Sequence, residues 1–124
     1  MNELIETILK AFKVNGKSIA YQFLKYTGQE TTYITYGLVN IDNPFYGDDE
    51  LQAYVDYYDF DIYSKGNYFE IVEGLKETLK ANGFVWQPTM TSEDMYENDT
   101  GYYHKTLCFS YLRNEEEQKW HVSV

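Results

Sequence analysis

Three aspartates, Asp56, Asp59 and Asp61, lie inside one aromatic run, "YVDYYDFDIYS". Carboxylates grouped like this do one of two kinds of chemistry: proton transfer or the binding of a hard cation. The Asp59/Asp61 pair lacks a third ligand at a telling spacing, so a metal site built on it is not expected. A second acidic group, Asp48, Asp49 and Glu50, sits in "DNPFYGDDE". Oxygen ligands cluster there, but the order D-x-[DN]-x-[DN]-G of a calcium loop is missing and Pro44 intrudes. His104 and His121 are the two groups suited to neutral-pH acid–base work. His104 precedes Cys108 by four residues, about 13 Å along a strand. A Cys–His nucleophile pair requires contact, so this pair fails in an extended chain. Zinc spacings, a glycine-rich phosphate loop and a serine nucleophile elbow are all missing from the sequence. The expectation is no catalytic, cofactor-binding or metal-binding residue.

The elements that carry these side chains follow from periodicity. Leu4, Ile5, Ile8, Leu9 and Phe12 recur at helical spacing behind Asn2, with Glu3 and Glu6 in the first turn, which predicts a helix over 3–12. Alternation predicts strands over 18–26, 31–41 and 51–64, with a loop at 42–50. Asn67 followed by Glu70 opens a second helix through about Ala81, closed by Asn82-Gly83. Short and long strands follow at 84–88 and 102–113, separated by an acidic loop at 89–100.

This order, α-β-β-β-α-β-β, predicts an α+β fold. A mostly antiparallel five-stranded sheet would carry two helices packed on one face. Residues 1–113 form the expected single domain, and 114–124 a solvated tail. On the third strand, Tyr54, Tyr58, Phe60 and Ile62 face the helices, while Tyr57, Asp59, Asp61 and Tyr63 face away. Asp56 falls on the helix side by strict alternation, so a bulge or a strand end is expected to rescue it.

Charge narrows the partners. The net charge is −10, and one arginine, Arg113, stands in the whole chain. Phosphate recognition depends on arginine forks and clustered basic charge, which argues against a grip on nucleic acid. A platform of stacked bases would need the aromatic strands interleaved with basic charge, and here the interleaved charge is negative. The fourteen tyrosines suit half-buried sheet faces and subunit contacts. With one cysteine, a reducing compartment is expected, and neither a signal peptide nor a membrane span is read.

The segments "DIYSKGNYFEIVEGLKETLKANGFVW" and "DTGYYHKTLCFSYLR" resemble the tail-terminator, or tail-completion, proteins of long-tailed bacteriophages of Gram-positive hosts. That family pattern runs through a short N-terminal helix and a stretch like "TTYITYGLV". A D-x-x-S/T-x-G strand end, a helix closing in "GF" and a final strand opening on a tyrosine–histidine pair complete it. The same order runs here from residue 2 to about 113. The resemblance implies a non-enzymatic virion protein at the tail–head junction, assembled in the host cytoplasm. It would form a homo-oligomeric ring, usually of six copies, on the tail tube protein. It would stop tube growth and meet the head connector, and DNA would pass through without specific binding. On this reading Asp48, Asp49, Glu50, Tyr57, Asp59 and Asp61 face the lumen or a neighbouring subunit. The rival readings are a neck or head-completion connector of the same virion, an acidic DNA-mimic inhibitor and, third, a metal-dependent enzyme built on Asp59 and Asp61.

Overall fold

A computed structural model describes residues 2–45, 53–66 and 68–114, with the side chains of 43–45 and 114 left aside. Helix α1 spans Asn2–Ala11 and buries Ile5, Ile8 and Leu9. Helix α2 spans Tyr68–Ala81 and buries Ile71, Val72, Leu75 and Leu79. The end of α2 follows from its sequence. Gly83 takes a left-handed φ of 90°, and the Phe84 and Gly83 amides donate back to the Leu79 and Lys80 carbonyls at 3.0 and 3.2 Å. The expected cap at Asn67 lies outside the described residues. Glu70, its expected partner, accepts a bond from Asn15 Nδ2 at 2.7 Å.

The strands are β1 Lys13–Val14, β2 Lys17–Ser18, β3 Ala20–Phe23, β4 Tyr33–Phe45, β5 Ala53–Ser64, β6 Val85–Trp86, β7 Met95–Glu97 and β8 Tyr102–Asn114. Among the described residues β1 and β2 pair as a separate hairpin, while β3, β4, β5, β8 and β6 lie side by side in one sheet and β7 adds to β8. The architecture is α+β as expected, but the five-stranded, mostly antiparallel order α-β-β-β-α-β-β is corrected in three places.

First, the expected strand 18–26 divides. Asn15 and Gly16 both have positive φ, 53° and 78°, the geometry of a two-residue hairpin turn. Second, β3 pairs with β4 in parallel, Ala20 opposite Tyr33 through Phe23 opposite Tyr36, so the sheet is mixed. Third, the expected loops at 42–50 and 89–100 each contain strand. β4 continues to Phe45 through Pro44, a position open to proline because β4 is an edge there. The acidic segment 89–100 supplies β7 and, after Pro88, the rest of a short 3-10 turn, Pro88–Met90.

Both helices pack on one face of the sheet. Ile5, Leu9, Leu75 and Leu79 meet Ile34, Tyr58, Phe60, Ile62, Leu107 and Phe109 in one core. Phe60 lies edge-on to Phe84 and Phe109, at 6.2 and 6.0 Å between ring centres, an arrangement aromatic rings favour. Tyr58, Phe60 and Ile62 face the helices as their alternation predicts. The Ser64 hydroxyl, fully buried, bonds Thr32 Oγ1 at 3.0 Å and takes the Gly66 amide at 3.0 Å. This closes β5 where the D-x-x-S-x-G pattern stands.

Asp56 also faces the helix side, and it is corrected in how it survives there. β5 pairs with β8 without a break in register from Ala53 to Ser64. The nearby irregularities are in β4, between Leu38 and Asn40 and between Asp42 and Phe45. Asp56 is instead paired with Arg113, whose Nε donates to Oδ2 at 2.5 Å, with side-chain exposures of 3% and 9%.

Candidate functional site

The face of the sheet turned away from the helices collects most of the chemistry-bearing side chains. Pairing sets them in rungs: Tyr33, Tyr63 and His104; Thr35, Asp61 and Thr106; Gly37, Asp59 and Cys108; Asn40, Tyr57 and Ser110. Tyr57, Asp59, Asp61 and Tyr63 are half-buried on this face, as alternation along β5 requires.

The first rung is a row of stacked rings. Tyr26 lies 4.3 Å from Tyr33, Tyr33 lies 4.9 Å from Tyr63, and Tyr63 lies 4.0 Å from the His104 imidazole, all close to parallel. Tyr102 closes the row edge-on against Tyr33 and Tyr63. Next to it, Asp61 Oδ1 accepts from Thr106 Oγ1 at 2.5 Å and sits 3.3 Å from His104 Nε2.

One rung further, Asp59 meets Cys108. Burial holds the Asp59 carboxyl above its usual range, the neighbouring Asp61 adds to the rise, and a bond from the Cys108 thiol opposes it. Burial, then the Asp59 charge, push the thiol up to about 11. At neutral pH Cys108 is therefore a protonated, fully buried thiol, without the thiolate that nucleophilic chemistry uses.

The geometry thus brings Asp61 and His104 together and keeps His104 and Cys108 two rungs apart. An oriented Asp–His pair holds an imidazole in place. Its imidazole here lies against Tyr63, and the nearest thiol lies in another rung. What the face offers is carboxylate acceptors set among flat aromatic surfaces, suited to contact with another macromolecule. Among the described residues, no group of three or more His, Cys, Asp or Glu side chains is placed to hold a metal ion, and no helix is long and apolar enough to cross a membrane.

Elsewhere, the Asp94 carboxylate of the acidic segment is taken by Tyr68 Oη at 2.6 Å and Lys105 Nζ at 3.0 Å. These bonds hold its pKa below the usual carboxylate range. A groove of about 450 Å³ between the helices is lined by Leu4, Ile8, Phe12, Thr78 and Asn82 among others.

Asp48, Asp49 and Glu50 lie outside the described residues, as do His121 and the expected tail beyond Asn114. Sequence reading missed two contacts. The Asp61–His104 contact joins diagonal neighbours, which only the β5–β8 register reveals. The Asp56–Arg113 pair left a signal: Arg113 shares its parity with Leu107, Phe109 and Tyr111, so the lone arginine belongs on the helix-facing side of β8.

No family model matches this chain, and no curated protein sequence matches it either.

Proposed function

We propose that this chain is a non-enzymatic phage virion assembly protein, a tail terminator that caps the tail tube as a ring and offers the surface for head joining. The reading rests on the order of motifs from residue 2 to about 113. The observation that best supports it is the makeup of the outer sheet face. Asp59 and Asp61 stand half-exposed between a row of stacked rings and a protonated thiol, an arrangement suited to contact with a protein. Their negative charge also suits a wall past which DNA must slide without being held. On this reading Tyr57, Asp59 and Asp61 face the lumen or a neighbouring subunit.

Deletion of the gene in its phage or prophage, followed by electron microscopy of the lysate, tests the role. DNA-filled heads beside unattached tails of uncontrolled length are expected. Unattached tails of normal length would move the role to the neck, and normal infectious particles would overturn the reading. Charge reversal at Asp59 and Asp61 that left ring assembly and particle yield unchanged would remove these residues from the proposed contact.

A further inference from the structure

Among the described residues, the sheet ends in an open edge. β3 accompanies β4 only from Tyr33 to Tyr36. The chain then turns away at Leu24, whose φ is 64° and whose amide makes a last bond to the Tyr36 carbonyl at 2.9 Å. Leu24 folds against Gly37, where a Cβ would meet its Cδ2. From Gly37 onward, among the described residues, β4 has β5 on one side and no strand on the other. That stretch carries Leu38, Val39 and Ile41, with 43%, 51% and 48% of their surface exposed. Free backbone donors and acceptors beside exposed aliphatic side chains are a template for another strand. The irregularities at Val39 and between Asp42 and Phe45, with the imide of Pro44, limit that template to the residues around Ile41.

We propose that the free chain forms a two-fold dimer in which the β4 edges of two copies pair antiparallel about Ile41. Asn40 and Asp42 face the outer side of the sheet and Ile41 the helix side, as their partners on β5 require. Antiparallel pairing centred on Ile41 sets the two Ile41 side chains against each other. It places Asn40 of each copy opposite Asp42 of the other, an amide donor facing a carboxylate. A parallel, in-register pairing would instead oppose Asp42 to Asp42. Asp42 is the lone charge between Gly37 and Asn43, so the antiparallel register relieves the one repulsion the edge contains. The contact is isologous, whereas neighbours in a cyclic ring meet head to tail. It therefore goes beyond the ring reading, describes the chain before it enters any ring, and does not depend on that reading.

Sedimentation of the full chain over a range of concentrations, with three variants, tests the pairing. A monomer–dimer equilibrium is expected. Ile41→Lys sets two ammonium groups against each other and should weaken association by about tenfold or more. Asn40→Asp, an exposed and conservative change, should weaken it less but in the same direction. Ile41→Cys should yield a disulfide-linked dimer under mild oxidation, while Val85→Cys, exposed on another strand, should not. A chain that stays monomeric, or that forms dimers or larger rings indifferent to both Ile41→Lys and Asn40→Asp, would overturn the proposal. So would open-ended aggregation, or failure of Ile41→Cys to cross-link. The gene-deletion phenotype is independent of all of these outcomes, so the edge contact and the terminator role fail separately.

Discussion

Asp56 and Asp59 are close neighbours on β5, yet they stand on opposite faces and meet opposite solutions to the same problem. Asp56 lies on the helix side, 2% exposed, and the one arginine in the chain is bound to it. Asp59 lies on the outer face and keeps part of its contact with water. It bonds a neutral thiol and has another carboxylate, Asp61, nearby. A charge inside a protein needs a counter-charge, whereas a charge at its surface needs only room. The inner acid is thus part of what the fold requires, whereas the outer acids, half-buried and bonded within their own face, are the ones the proposed reading assigns to a contact.

The pair on the inner face gives the largest expected effect. Arg113→Met leaves Asp56 buried without its partner, and breaking a pair of this kind costs about 3–5 kcal/mol, measurable by urea unfolding at neutral pH. The pair itself is not ideal: among the described residues, Asp56 Oδ1 and Arg113 Nη1 are buried without hydrogen-bond partners, and the guanidinium rests 4.8 Å from the Tyr54 ring centre. Replacing both, Asp56→Leu with Arg113→Met, should therefore recover most of the loss. A double variant as unstable as the single one would mean that the pair fixes the β5–β8 register and is not merely tolerated.

These two faces were unequally legible. Alternation along β5 placed every acid on its correct side, and helix α2 was readable from its apolar period and its Asn82-Gly83 stop. What the sequence could not supply was pairing. Asn15-Gly16 is as much a hairpin signal as a helix stop, and the two-residue strands beside it are too short to show a period. The parallel partnership of β3 and β4 has no local signature, because the irregular segment 24–32 brings the chain back alongside β3 without a crossover helix. Pro44 marks loops and edge strands alike, so the run of β4 to Phe45 was hidden. The Asp61–His104 contact depends on register and was hidden for the same reason.

On the outer face the expected effects are smaller. Asp61→Ala removes the acceptor for Thr106 Oγ1 and the neighbour of His104 Nε2. Both bonds are partly solvated, so a loss of about 0.5–1.5 kcal/mol is expected. The Tyr63–His104 stack should remain, and the imidazole proton signals followed by NMR would report whether the ring keeps its place. A loss on the scale of Arg113→Met would mean that the outer face carries the fold as much as the inner one does.

The smallest change should have the opposite sign. Because burial raises the Asp59 carboxyl in the folded state, the folded chain holds this proton at pH values where the unfolded chain has released it. Ionisation of Asp59 therefore lowers stability as pH rises through the window between the unfolded and folded values, and the cost is complete at neutral pH. Asp59→Asn removes the charge while its amide oxygen can still accept from the Cys108 thiol. The variant should be more stable than the parent at pH 7, by no more than about 0.5 kcal/mol. That advantage should fade in thermal melts as pH falls below the unfolded carboxyl's range. A variant less stable than the parent at pH 7 would show that the bond from Cys108 outweighs the burial of the charge. Asp59 would then belong with Asp56 as a structural acid, and Asp61 alone would remain as the outer face's candidate for a contact.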